Sequence, residues 1–115
     1  MEQLQVTATF PSIAKEDLDE FRRLAGELME LTKGEDGVLQ YDWFFSADGS
    51  TCVVRETYAN GDAVLAHVAM AGELLGAITP LGGGVEVEVY GNPPAELIAA
   101  TEALRPAIYT FFQGK

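Results

Sequence analysis

Among its 115 residues the chain has one cysteine, one histidine, one tryptophan and only seven lysines and arginines. Each scarcity excludes something. A lone cysteine forms no internal disulfide, which fits a reducing, cytoplasmic setting. Cys52 also sits in an alternating apolar strand, which makes it core rather than nucleophile. A single histidine and a single cysteine do not supply the converging ligands of a catalytic metal site, so no metal is expected. Seven bases against 18 acids leave a net charge of −11. Phosphate backbones are held by clustered Lys and Arg, so neither nucleic acid nor an anionic membrane surface is an expected partner. No apolar run is expected to approach the roughly 20 residues of a membrane span. The opening Met-Glu-Gln-Leu-Gln lacks the basic region and apolar core of a secretory signal. Gly-x-Gly-x-x-Gly is missing, and no Lys-Ser/Thr pair follows Pro80-Leu81-Gly82-Gly83-Gly84, so dinucleotide and phosphate loops are both excluded.

What is present reads as one domain, 48% hydrophobic and 22% charged. Leu4, Val6, Ala8 and Phe10 alternate with polar residues as a half-buried strand. A helix follows from about residue 14 to 31, with Leu18, Phe21, Ala25 and Leu28 as its apolar stripe. Glu16, Asp17, Asp19 and Glu20 crowd its first turns as a solvated, dipole-matched face. From Gly37 to Tyr58 the chain predicts a hairpin with a two-residue Asp48-Gly49 loop. That loop places Leu39, Tyr41, Trp43 and Phe45 on one face with Cys52, Val54, Glu56 and Tyr58. Asp42 then lies opposite Arg55 on the other face, and a slip of one residue would break that pair. Asn60 caps a second helix carrying Val64, His67, Val68 and Ala71 on its buried side. Gly72 and Gly76 are expected to break it, leaving a short helical turn over 73–78. Val85, Val87 and Val89 form a fourth strand, and residues 95–104 a short helix stopped by Pro106. The order strand, helix, strand, strand, helix, strand is the α+β, ferredoxin-like plan: βαββαβ, a four-stranded antiparallel sheet with helices on one face. This domain spans 1–92. Residues 93–115 add a helix and an apolar tail, Ile108-Tyr109-Thr110-Phe111-Phe112, which must dock on its own domain or on a partner subunit.

One acid, Glu56, is left among aromatics. Glu56 and Tyr58 are two apart on one strand and point the same way, Tyr41 faces Glu56 across the hairpin, and His67 lies about two turns into the next helix. A carboxyl among aromatics has its pKa raised by desolvation, and a neighbouring imidazole can act as a general base. His67, Glu56 and Tyr58 are therefore the candidate catalytic residues, and Trp43 and Tyr41 the candidate substrate-binding residues. The plainer alternative is a polar network that only fixes helix against sheet, with Trp43 and Tyr41 as core.

These residues also carry a resemblance. Gly37-Val-Leu-x-Tyr41, then Val-x-Arg-Glu56-x-Tyr58-x-Asn60-x-Asp62-Ala63, then His67, resembles the antibiotic biosynthesis monooxygenase (ABM) family of dimeric α+β barrel proteins. Val-Glu-Val-Tyr90-Gly91 is similar to that family's last strand. The resemblance covers about residues 4–91. It implies a homodimer with sheets packed face to face and a small pocket between sheet and helices. It also implies oxygenation of quinols or phenols without metal, flavin or nicotinamide. The haem-degrading branch uses an Asn on the first strand with a Trp and a His on later helices; Ala8 between Thr7 and Thr9, and Trp43 on a strand, depart from that pattern.

Two functions follow as expectations. One is a cofactor-independent monooxygenase of a small aromatic hydroxyl compound or quinol, with His67 as base or proton shuttle and Glu56 as its orienting partner. Tyr58 and Trp43 would serve as pocket wall and hydrogen-bond donors. The other is a non-catalytic homodimeric barrel that binds a small aromatic molecule or is simply filled by side chains. An isomerase or aldehyde-handling enzyme on the same barrel would need only acid–base chemistry.

Overall fold

The alternation of apolar and polar residues in Leu4–Phe10 puts this strand, β1, at the centre of the sheet in a computed structural model that describes residues 2–115. A single 3-10 turn at Lys15–Asp17 leads into α1, Leu18–Thr32, which buries Phe21, Leu24, Leu28 and Thr32. The hairpin strands are β2, Val38–Phe45, and β3, Cys52–Tyr58. Next come α2, Gly61–Leu81, and β4, Glu86–Tyr90. The chain ends with α3, Ala95–Ala100, a 3-10 turn at Glu102–Leu104, and β5, Ala107–Tyr109. Antiparallel pairing of β1 with both β3 and β4 gives the ferredoxin-like core order β2-β3-β1-β4. The helices that follow β1 and β3 bury their apolar faces against this sheet.

The sheet has five strands and is mixed, not four and antiparallel. β5 pairs in parallel with β4, Val89 opposite Ile108 and Tyr90 opposite Tyr109, and the Gly91 N–H donates to the Tyr109 carbonyl at 2.9 Å. The pairing covers the N–H and C=O groups that β4 would otherwise present as a bare edge. α2 is likewise one continuous helix through Gly72 and Gly76. Each interior glycine costs about 1 kcal/mol relative to alanine, which is offset by burying Ala71 and Ile78 on the same helix. It is 21 residues long, with an 18-residue stretch of mean hydropathy 1.5, and so has the length and composition of a membrane span. Here it lies along the sheet and buries Val64, His67, Ala71 and Ile78.

Within the hairpin, Tyr41 faces Glu56, Asp42 faces Arg55 and Phe45 faces Cys52. The expected register is thus present, although Asp42 takes its side-chain hydrogen bond from Gln40 (3.0 Å). Two local features differ from expectation. The connection is a four-residue turn, not a two-residue loop: the Gly49 N–H donates to the Ser46 carbonyl and Gly49 has φ 75°. The Asp48 carboxylate accepts from Ser46 and Ser50, which holds its pKa down at about 2. The register also shifts between Val38 and Gln40, so the extra residue, Leu39, is 55% exposed instead of joining Tyr41 on the core face. Such a bulge flips the side chains before it.

Candidate active site

β2 and β3 project Tyr41, Glu56 and Tyr58 from the inner face of the sheet, and α2 lays His67 over them. Together they line a cavity of about 120 Å³ between sheet and helix. Most of its wall is apolar, with Val6, Val87 and Val89 from the sheet and Val64 and Leu75 from α2. The C-terminal segment closes it with Leu97, Thr101, Leu104 and Pro106. Two further polar groups, Thr79 and Thr101, have donated their hydroxyl protons to the Leu75 and Leu97 carbonyls (2.6 and 2.8 Å). They therefore face the cavity only as acceptors.

The hydrogen-bond partner of His67 is Glu35, not Glu56. Nδ1 lies 3.0 Å from Glu35 Oε2, with side-chain exposures of 4% and 8%. A carboxylate beside Nδ1 favours the tautomer protonated there, which leaves Nε2 as the basic lone pair. Among the described residues Nε2 has no partner, and Glu35 Oε1 is buried without one. The imidazole is flanked edge-on by Tyr41 (centroids 5.1 Å) and tilted against Tyr58 (5.7 Å).

Glu35 stands in the connection between α1 and β2. It reaches His67 because Gly37 lets that connection lie against the start of α2. The Ala59 N–H donates to the Gly37 carbonyl at 2.9 Å, and a Cβ at Gly37 would meet Ala63 Cβ at 2.6 Å. Gly37→Ala is therefore expected to cost about 1–3 kcal/mol by overpacking, read from denaturant unfolding. Adding Ala63→Gly should recover part of that loss as a positive coupling between the two positions. Additive losses would mean that the contact does not hold the connection.

Glu56 has its own partner. The Tyr58 hydroxyl donates to Oε1, and Oε2 has no partner among the described residues. Burial pushes the Glu56 carboxyl up to about 7, with the Tyr58 hydrogen bond pulling it partly back. Tyr41 and Tyr58 are both held well above the ordinary phenol range, first by burial and then by the nearby Glu56 charge. Both phenols therefore stay protonated at neutral pH. Cys52 is buried and its thiol is pushed up to about 11 by burial, so it carries little thiolate.

Four of the five expected site residues thus share one cavity: His67, Glu56, Tyr58 and Tyr41. Trp43 does not line it. Its ring stacks over Phe10 and meets Phe21 and Tyr41 edge-on (6.2, 6.3 and 5.7 Å), with Nε1 buried and without a partner among the described residues. Two residues beyond Tyr41 is about 7 Å along a strand, which carries the indole under α1 and away from α2. Glu35 is the residue that sequence reasoning missed, because Lys33-Gly34-Glu35-Asp36-Gly37 has the composition of a solvated turn. Among the described residues no three His, Cys, Asp or Glu side chains converge as metal ligands would.

The fold and site define a ferredoxin-like α+β protein with a mostly apolar cavity that holds a buried acid and a carboxylate-tethered imidazole. Residues 5–72, more than half of the chain, match the antibiotic biosynthesis monooxygenase family model, and the chain belongs to that family. No curated protein matches it. In structure it is similar to MupZ from Pseudomonas fluorescens (TM-score 0.81, 20% identity), across 100% of this chain and 94% of that one. It is also similar to Rv0793 from Mycobacterium tuberculosis (TM-score 0.70, 25% identity, 80% and 96% covered). A third likeness is to a Caulobacter crescentus protein that bears the family's name (TM-score 0.68, 25% identity, 76% and 87% covered). The MupZ likeness extends over the C-terminal segment that closes the cavity.

Proposed function

We propose that this protein is a cofactor-independent monooxygenase of a small aromatic hydroxyl compound or quinol, working as a homodimer. The observation that carries the reading is His67, tethered at Nδ1 to Glu35 and free at Nε2 on the wall of a mostly apolar cavity. Membership of the family supports the reaction class. An electron-rich phenolate or quinol anion can reduce oxygen directly, so the protein has three tasks: to take the hydroxyl proton, to hold the ring and to exclude water. Nε2 of His67 takes the proton. Tyr41, whose hydroxyl stays protonated, marks where the oxygen anion sits. In the overall change a quinol and O₂ give a hydroxyquinone and water; all four electrons come from the substrate, and no external reductant is consumed. The dimer reading rests on the apolar groups left at the surface, Phe44 on the outer sheet face and Phe112, 87% exposed, in the tail.

Oxygen uptake with a panel of monocyclic quinols tests this. The expected result is enzyme-dependent consumption, with one atom of ¹⁸O from ¹⁸O₂ in the product by mass spectrometry. Uptake no faster than in buffer across the panel rejects the oxygenase and leaves a binding protein.

A further inference from the structure

His67 and Glu56 share an arrangement that phenol deprotonation alone does not require. Each has its outer atom tied to the protein and its other atom untied. Nδ1 of His67 is held by Glu35, and Oε1 of Glu56 is held by the Tyr58 hydroxyl. Nε2 and Oε2 have no partner among the described residues, and both side chains line the same cavity. They come from different elements, α2 and β3, and Tyr58 touches both: its ring contacts the imidazole and its hydroxyl holds the carboxyl. A base and a carboxyl that line one cavity can work on two atoms of one substrate at once.

We propose that this cavity also catalyses an oxygen-independent allylic proton shift, converting a β,γ-unsaturated six-membered cyclic ketone into its conjugated isomer, with His67 Nε2 and Glu56 Oε2 as the proton-transfer atoms. Nε2 removes a proton from the carbon between the carbonyl and the double bond. That C–H electron pair becomes the new C=C bond of a dienol, and the carbonyl π pair moves onto oxygen, which takes the proton of Glu56. The steps then reverse at the far carbon. Glu56 takes back the hydroxyl proton, the imidazolium delivers its proton to the γ carbon, and the remaining double bond is conjugated with the carbonyl. One proton leaves carbon and one returns. No electron is gained or lost, so no oxidant is needed.

The cavity selects the class of substrate. A cavity of roughly 150 Å³ holds benzene, so at about 120 Å³ this one admits at most a single ring without large substituents. Orientation follows from the hydroxyls. Thr79 and Thr101 have already donated their protons to their own helices, so a ketone oxygen finds no donor at that end. Glu56 and Tyr41, on the sheet side, are the groups left to receive it. Burial that holds Glu56 at about 7 leaves that carboxyl partly protonated near neutral pH.

The test is run under argon in D₂O, with cyclohex-3-en-1-one as probe and ¹H NMR as readout, so that its outcome is independent of oxygenase activity. Wild-type protein should convert the probe to cyclohex-2-en-1-one faster than buffer and place deuterium at the ring carbons that exchange. Glu56→Gln, which keeps an acceptor for Tyr58, and His67→Ala should each lower the rate by about 10²–10⁴-fold. Added imidazole should restore part of the His67→Ala rate, which a merely structural histidine would not allow. If His67→Ala melts below the assay temperature, His67→Gln takes its place. A wild-type rate equal to buffer overturns the proposal, as do folded variants as fast as wild type. Oxygen uptake without isomerisation would leave the oxygenase reading intact and remove this one.

Discussion

His67→Ala is expected to lose about 10²–10⁴-fold in oxygen uptake with whichever quinol the wild type oxidises, the range for removing a positioned general base. The loss should fall on kcat more than on KM, because the apolar walls that hold the ring, Val6, Val87, Val64 and Leu75, are untouched. Removing the imidazole also leaves the Glu35 carboxyl buried with neither oxygen paired, since Oε1 already lacks a partner. Breaking a buried pair from one side costs about 3–5 kcal/mol, against a total stability of about 5–15 kcal/mol for a domain. Glu35→Gln separates chemistry from stability. Its neutral amide tolerates burial better, and when it donates to Nδ1 it moves the ring proton to Nε2, where the base should be. A loss of about 10-fold or more in a well-folded Glu35→Gln would place the effect on the tautomer. Wild-type uptake in both folded variants would sink the assignment of His67 as base.

That Glu35 and not Glu56 tethers the imidazole shows where sequence reasoning reaches and where it stops. Strand alternation makes the faces of β2 and β3 legible, because side chains repeat every two residues and a register is pinned by each buried face. Tyr41, Glu56 and Tyr58 could therefore be placed together from spacing alone, and they do meet at one cavity. Helical periodicity likewise puts His67 on the buried side of α2. Contacts between a connection and a helix have no period. Glu35 is 32 residues from His67, and its path depends on the close approach of Gly37 to Ala63. Length along a strand decides the fate of Trp43: it shares a face with Tyr41 but lies too far along β2, so it packs with Phe10 and Phe21. Glycine misleads in α2, where propensity argues for a break and burial on the sheet wins. The fifth strand is hidden for a related reason. A three-residue segment, Ala107–Tyr109, gains its structure from the open edge of β4 and not from its own pattern.

Glu56→Gln is expected to remove a slope from the dependence of stability on pH. The folded protein holds the Glu56 carboxyl at about 7 against an ordinary 4.5, because burial disfavours the charge. The folded state therefore binds this proton more tightly than the unfolded state does. By linkage, its contribution is fully present below about 4.5, shrinks as pH rises through the interval, and is gone above about 7. The difference between 4.5 and about 7 corresponds to about 3 kcal/mol, or on the order of 10–20 °C in Tm for a domain of this size. Glutamine has the shape of the protonated acid, accepts from Tyr58 and carries no charge to bury. The variant should match the wild type near pH 4.5 and exceed it by about 3 kcal/mol at pH 8, read from urea unfolding at each pH. Asp48 does not confuse the comparison. Its depressed pKa, about 2, gives a contribution present above its ordinary value and lost only as pH falls below it, outside the interval and common to both proteins. A constant difference between wild type and Glu56→Gln from pH 4.5 to 8 would mean that Glu56 ionises without cost in the folded protein. The carboxyl would then be unprotonated when substrate arrives, and the allylic shift would lose its acid.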